Sequence, residues 1–169
     1  YRLTLRKMAL NPFWQTTLDS LKSVVDGETD LICNLANISA VLFEELNRVK
    51  DKKVNWVGFY LHKKDKTLVL GPFQGKLACC RIPFGKGVCG TAASTKETQF
   101  VPNVHEFAGH IACDSESESE VVVPLFDGET VYGVLDLDAL IQNGFTKEDE
   151  AGLVAISRQV IEPVFKNCS

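Results

Sequence analysis

No apolar run in this 169-residue chain reaches the roughly 18 residues that span a bilayer as a helix. Positive charge is not in excess either. The 18 Lys and Arg are outnumbered by 22 Asp and Glu, for a formal net charge of −4. That removes the electrostatic footing for nucleic acid or an anionic membrane. The basic start, Tyr1-Arg-Leu-Thr-Leu-Arg-Lys-Met8, has no apolar segment or small-residue cleavage site after it, so no signal peptide is expected. Residues 1–10 read as a flexible or added N-terminus, with Met8, the single methionine, a candidate initiator. There is no repeat, no low-complexity stretch and no linker. One domain over residues 1–169 is expected, with a cytoplasmic location, where disulfides tend to be transient and catalytic.

What is present is an α+β pattern. Leu18, Leu21, Val24 and Val25 recur at helical spacing over 13–26, ahead of Gly27. Asp30 can cap a second helix to about Val49, with the stripe Leu31, Leu35, Ile38, Leu42 and Leu46 and a buried Cys33. Strands are expected at 55–61, 67–70 and 77–82. A loop at 83–87 opens a short helix from Val88 to about Thr95, and a long loop covers 102–118. Two further strands, 121–126 and 130–138, meet at Asp127-Gly128, a hairpin signal. Thr146-Lys-Glu-Asp149 resembles a capping box for a last helix, which Pro163 bends or ends. Hairpin-joined strands imply an antiparallel sheet with helices packed on one side.

The chemistry-bearing residues are thiols and carboxylates. Cys79, Cys89 and Cys113 lie among Gly, His and acidic residues, a grouping that points to redox chemistry or metal binding. Cys89 follows Gly85-Lys-Gly87 at a helix start, where N–H groups lower a thiol pKa or hold an anion. Cys79 and Cys80, read as strand residues, point to opposite faces. A zinc site from His105, His110, Cys113 and Cys79 or Cys89 competes, but the Cys-x-x-Cys spacing is absent. No metal or cofactor is called for.

Asp136 and Asp138 share one strand face with Tyr132 and Val134, either as a solvated surface or as the floor of a cation-binding pocket. Glu120 joins them only if the hairpin has a three-residue loop or a bulge of equal effect. A two-residue turn alone would send it to the other face. Trp56 and Tyr60 share a face of the first strand, as core or as an aromatic wall for a ligand.

Asn55-Trp-Val-Gly-Phe-Tyr60, Gly75-Lys-Leu-Ala-Cys79, Ile82-Pro-Phe-Gly-Lys-Gly-Val-Cys-Gly90, Gly109-His-Ile-Ala-Cys-Asp114, Ser119-Glu-Val-Val-Val-Pro-Leu125 and Gly133-Val-Leu-Asp-Leu-Asp138 together resemble the free methionine-(R)-sulfoxide reductases, which are single GAF-domain enzymes. The resemblance implies a six-stranded antiparallel sheet with helices on one face, and a small pocket closed by the loop carrying Cys113. It implies Cys113 as the attacking thiol, with Cys79 ahead of Cys89 to resolve, and Trp56, Glu120, Asp136 and Asp138 at the substrate. Tyr60 joins them through the aromatic wall it shares with Trp56. Cys80 has no counterpart in the family pattern. The expected reaction is thiol-dependent reduction of free L-methionine (R)-sulfoxide, through a sulfenic acid and an intramolecular disulfide recycled by thioredoxin, in a possible homodimer. The alternatives are a GAF small-ligand sensor and a thiol redox switch.

Overall fold

Capping and periodicity set the helical layer. The computed structural model describes residues 9–111 and 114–168. The reading of residues 1–10 therefore falls largely outside the described residues, although Leu10 packs against the core. Asn11 caps α1 (Pro12–Val25) by accepting from the Trp14 N–H, and Pro12 sits where its missing N–H leaves nothing unsatisfied. Asp30 caps α2 (Leu31–Arg48) through the Cys33 N–H. The apolar stripes of both helices are buried against the sheet. Cys33 corrects its expectation: it is exposed, because it lies off the stripe that runs through Leu31, Leu35 and Ile38.

The sheet contains β1 (Val54–His62), β2 (Thr67–Gly75), β3 (Arg81–Pro83), β4 (Gln99–Val101), β5 (Ser119–Asp127) and β6 (Thr130–Ala139). Its order is β3-β2-β1-β6-β5-β4, with every neighbouring pair antiparallel. The expected strand at 77–82 is mostly loop. Gly75 leaves β2 at φ 130°, and the carbonyls of Lys76 and Cys79 are taken by side chains of β1 rather than by a ladder. Cys79 and Cys80 therefore do not alternate across a sheet.

The β5–β6 hairpin turns tightly at Asp127↔Thr130, then slips by one residue between Phe126↔Val131 and Leu125↔Gly133. This bulge puts Glu120 directly opposite Asp138. It also corrects the expectation for Tyr132. As the extra residue, Tyr132 leaves the Asp136 face and stacks on Phe165 among the helices, with ring centroids 4.9 Å apart.

The last helical segment starts as α4 (Lys147–Ile156) with a complete Thr146/Asp149 capping box. It widens to one π-type turn over Ser157–Ile161, where the Glu162 N–H reaches the Ser157 carbonyl, and continues as α5 (Glu162–Asn167). The wide turn sits just ahead of Pro163, whose ring disrupts regular i→i+4 bonding. Helices α1, α2, α4 and α5 cover one sheet face. A shorter helix, α3 (Gly87–Thr95), packs on the opposite face, where Val88, Cys89, Ala92 and Ala93 join Trp56, Tyr60 and Val134 in a second, smaller cluster. Among the described residues, no helix is long and apolar enough to cross a membrane.

α1 and α4 meet where Trp14 lies flat on Gly152. A Cβ there would sit 2.1 Å from the indole Cδ2. The ring cannot retreat, because its Nε1 donates to the buried Asp149 carboxylate at 3.1 Å and Lys52 pairs with the same carboxylate. Gly152→Ala should therefore destabilise the fold by about 1–3 kcal/mol through overpacking, despite the better helix propensity of Ala. The check is a lower urea midpoint at unchanged slope.

Candidate active site

The sheet face opposite α1 and α2 floors a cavity of about 490 Å³, counted with its open mouth. Its walls are α3, the loop at 76–80, and His110, Ile111, Asp114 and Ser117. Trp56, Tyr60, Cys89, Glu120, Asp136 and Asp138 all line it.

Strand register explains the convergence. Trp56 pairs with Asp138 and Gly58 with Asp136 across β1–β6, while Glu120 pairs with Asp138 across β5–β6. Side chains at 120, 136 and 138 thus rise from one face of adjacent strands. Glu120 and Asp136 are 6% and 5% exposed, and Asp138 is partly buried. Burial raises all three carboxyls well above the ordinary carboxylate range. Mutual repulsion adds to it: Asp138 on Glu120, Glu120 on Asp136, and Asp136 on Asp138. The cluster therefore favours keeping a proton more than exposed carboxylates do. Asp136 Oδ1 is buried and has no hydrogen-bond partner among the described residues.

Cys89 comes from the first turn of α3, with Sγ 3.9 Å from Glu120 Oε1. The expected lowering of its pKa by the helix terminus is overturned. The thiol is 4% exposed and is pushed well above its usual value, by burial first and then by Asp136 and Glu120. Desolvation among acids outweighs the partial charge of a helix end. The Gly85 and Lys86 N–H groups bond the Gly90 and Pro83 carbonyls. The backbone of Gly87 and Val88, at the head of α3, borders the cavity instead.

Trp56 and Tyr60 form the aromatic wall, their ring centroids 5.9 Å apart, with Phe73 stacked behind Trp56 at 5.3 Å. Trp56 Nε1 donates to the Lys76 carbonyl at 3.2 Å, and Tyr60 Oη to the Cys79 carbonyl at 3.0 Å. The wall thereby fixes the loop that carries Cys79. Cys79 is disulfide-bonded, whereas Cys33, Cys80, Cys89 and Cys168 are free thiols. Cys113 lies outside the described residues.

Polar tethers that the sequence reading did not single out join the 107–117 loop to the sheet. Asn55 Nδ2 donates to Asp114 Oδ2 and Ser117 Oγ, both at 3.1 Å, and Lys76 pairs with Glu116. The only sequence signal for Asn55 was an amide at the head of an apolar strand. His110 Nε2 stands 3.4 Å from Glu120 Oε2, and burial lowers the pKa of its ring. His105 is not in the cavity but bonds Glu118 at the surface, so the four-ligand zinc set that included it is not assembled.

The GAF domain family profile matches residues 15–161. The chain is 50% identical over 138 residues to the free methionine-R-sulfoxide reductase of Escherichia coli, covering 82% of this chain and 80% of that one. It is 47% identical over 145 residues to the Saccharomyces cerevisiae enzyme of the same name, covering 83% and 79%. Its fold is similar to that of the free methionine-R-sulfoxide reductase of Neisseria meningitidis, solved in complex with its substrate. That likeness has a TM-score of 0.86 at 42% identity and covers 95% of this chain and 93% of that one. On sequence, fold and the arrangement of this cavity together, the chain belongs to the free methionine-R-sulfoxide reductase family of GAF-domain proteins.

Proposed function

We propose that this protein reduces free L-methionine (R)-sulfoxide to L-methionine, with Cys113 as the attacking thiol. The carrying observation is the cluster of three carboxyls, their pKa values raised by burial, inside an aromatic-walled cavity, one loop away from a disulfide-bonded cysteine. The family relationship supports the substrate.

In this mechanism the Cys113 thiolate attacks the sulfoxide sulfur. Glu120 or Asp138, as the neutral acid, hydrogen-bonds the sulfoxide oxygen and delivers a proton. The oxygen passes to Cys113 as sulfenic acid, which oxidises the thiol by two electrons and reduces the sulfoxide by two. Methionine leaves. A second thiol condenses with the sulfenic acid, a disulfide forms and water departs. Cys79 being disulfide-bonded, with Cys89 a free thiol, favours Cys79 over Cys89 as the resolving group. A dithiol donor of the thioredoxin class then restores both thiols by exchange.

Selection for the free amino acid follows from the same groups. Asp136, with its unpartnered Oδ1, takes the substrate ammonium. Backbone N–H groups at Gly87 and Val88 take the carboxylate, and Trp56 packs on the methyl end. A peptide-bound or N-acetylated substrate leaves Asp136 unpaired and should be slower by roughly 10⁴-fold.

The deciding assay supplies each epimer of free methionine sulfoxide with dithiothreitol and quantifies methionine. Consumption of the R epimer alone is expected. Cys113→Ser should lower turnover by roughly 10³-fold or more, while Cys33→Ser and Cys168→Ser should leave it unchanged. Consumption of neither epimer would defeat the proposal and leave a small-ligand sensor.

The carboxyls predict two pH effects. The general acid must be protonated, so turnover should fall as pH rises through the elevated carboxyl range, and Glu120→Gln should lower kcat by about 10²-fold. For stability, an acid whose folded pKa is raised binds more protons folded than unfolded. Its contribution is full below the unfolded value near 4 and is lost as pH rises through the folded value. Glu120→Gln should therefore flatten the decline of unfolding free energy as pH rises above about 4 toward the raised folded value. Equal slopes for variant and parent would contradict the proton-holding cluster.

A further inference from the structure

The deepest part of the cavity gathers a donor set that sulfoxide reduction uses only in part. Cys89 Sγ, a Glu120 oxygen and an Asp136 oxygen all lie within 4.8 Å of one another, and all three side chains are buried. Cys89 Sγ is 3.9 Å from Glu120 Oε1, and His110 Nε2 is 3.4 Å from Glu120 Oε2. One sulfur and two carboxylate oxygens are ligand types of Zn²⁺, and a water can complete the tetrahedral set. A tetrahedral ion with bonds of about 2.0–2.3 Å sets its ligand atoms roughly 3.3–3.7 Å apart. The Cys89, Glu120 and Asp136 ligand atoms, within 4.8 Å of one another, would have to close by up to about 1 Å to reach that spacing.

A second observation points to a missing ligand. Asp136 is 5% exposed and borders the cavity, yet its Oδ1 has no hydrogen-bond partner among the described residues. A buried acceptor left unmatched is costly, and a cation seated between Asp136, Glu120 and Cys89 would match it.

We propose that this pocket is also a binding site for a divalent cation of the zinc class, held by Cys89, Glu120 and Asp136, and that the bound cation shuts the substrate out. On binding, the Cys89 proton and any protons held by Glu120 and Asp136 leave to solvent, and a metal–thiolate and metal–carboxylate bonds form with no electron transferred. The cation occupies the position at which Asp136 would receive an ammonium, and it binds Glu120 as the carboxylate, removing a carboxylic acid otherwise available as a proton donor. The inhibitory half of the proposal rests on the reductase reading, whereas the binding half stands without it.

The binding test uses Co²⁺ as a spectroscopic probe. A Cys33→Ser/Cys80→Ser/Cys168→Ser protein in its disulfide form leaves Cys89 as the free thiol, given the Cys79–Cys113 pairing proposed above. Titration should show one equivalent bound, with a thiolate-to-cobalt band in the near ultraviolet. Cys89→Ser in that background should abolish the band. Asp136→Asn, which keeps the side-chain shape, should weaken Co²⁺ binding at least tenfold with an unchanged circular dichroism spectrum. Absence of the band, its survival in Cys89→Ser, or unchanged affinity in Asp136→Asn would overturn the site.

The inhibition test follows methionine formed in a single turnover by reduced protein freed of excess reductant. One equivalent of Zn²⁺ should slow it at least tenfold, and a chelator should restore it. An unaffected rate in zinc-loaded protein would overturn the exclusion of substrate. No methionine from zinc-free protein would overturn the reductase reading, while the cobalt titration would still decide the site.

Discussion

One extra residue in β6 decides whether this cavity has an acidic floor. Side chains alternate along a strand, so a one-residue slip moves an entire strand's set to the opposite face. The tight turn at Asp127↔Thr130 alone would set Glu120 against Leu135's parity, among the helices. The bulge at Tyr132 shifts the register, so that Glu120 meets Asp138 and lies diagonal to Asp136. The same slip delivers Tyr132 to Phe165. A single backbone irregularity thus serves the apolar layer and the polar pocket at once, and it sits at the closed end of the hairpin, where register is first established.

The two faces of the sheet carry opposite burdens. Toward α1, α2 and α4 lies the larger apolar cluster, with Leu35, Leu42, Phe59 and Leu135 fully buried. Toward α3 the cluster is smaller and is interrupted by three carboxyls crowded on one cavity floor, where burial and mutual repulsion raise their pKa values. Buried groups of like charge weaken a fold unless they keep their protons. The helix-covered face supplies the stability that lets the other face hold groups chosen for chemistry. Asp149 shows the contrast: it is as buried as Asp136, but Trp14, Lys52 and Thr146 satisfy it completely.

The fold was largely legible because its signals are local. Capping by Asp30 and Thr146 and the stripe from Leu31 to Leu46 need no tertiary information. The face shared by Asp136 and Asp138 was legible from period-two alternation, but the inclusion of Glu120 was not, since a bulge leaves no mark beyond a hairpin that admits several registers. The loop at 76–80 was misread as strand because Leu77 to Ile82 is apolar. What prevents pairing there is the capture of its carbonyls by Trp56 and Tyr60, side chains about twenty positions earlier. The Cys89 pKa was misread for a related reason. A helix start is visible in sequence, but the carboxyls packed on it come from β5 and β6.

That last point separates the thiols by environment rather than by motif. Cys89 is sunk among acids, which disfavour its thiolate and with it both nucleophilic attack and disulfide exchange. Cys79 lies on a half-exposed loop beside Leu77, which is 89% exposed, and it is the cysteine found in a disulfide. On the proposed mechanism, oxidising equivalents must leave the pocket for an external dithiol, and exchange requires an approachable sulfur. Burial of Cys89 keeps it out of that traffic. Its sulfur instead borders the carboxyl cluster, 3.9 Å from Glu120 Oε1, where the proposed cation would take it as a ligand.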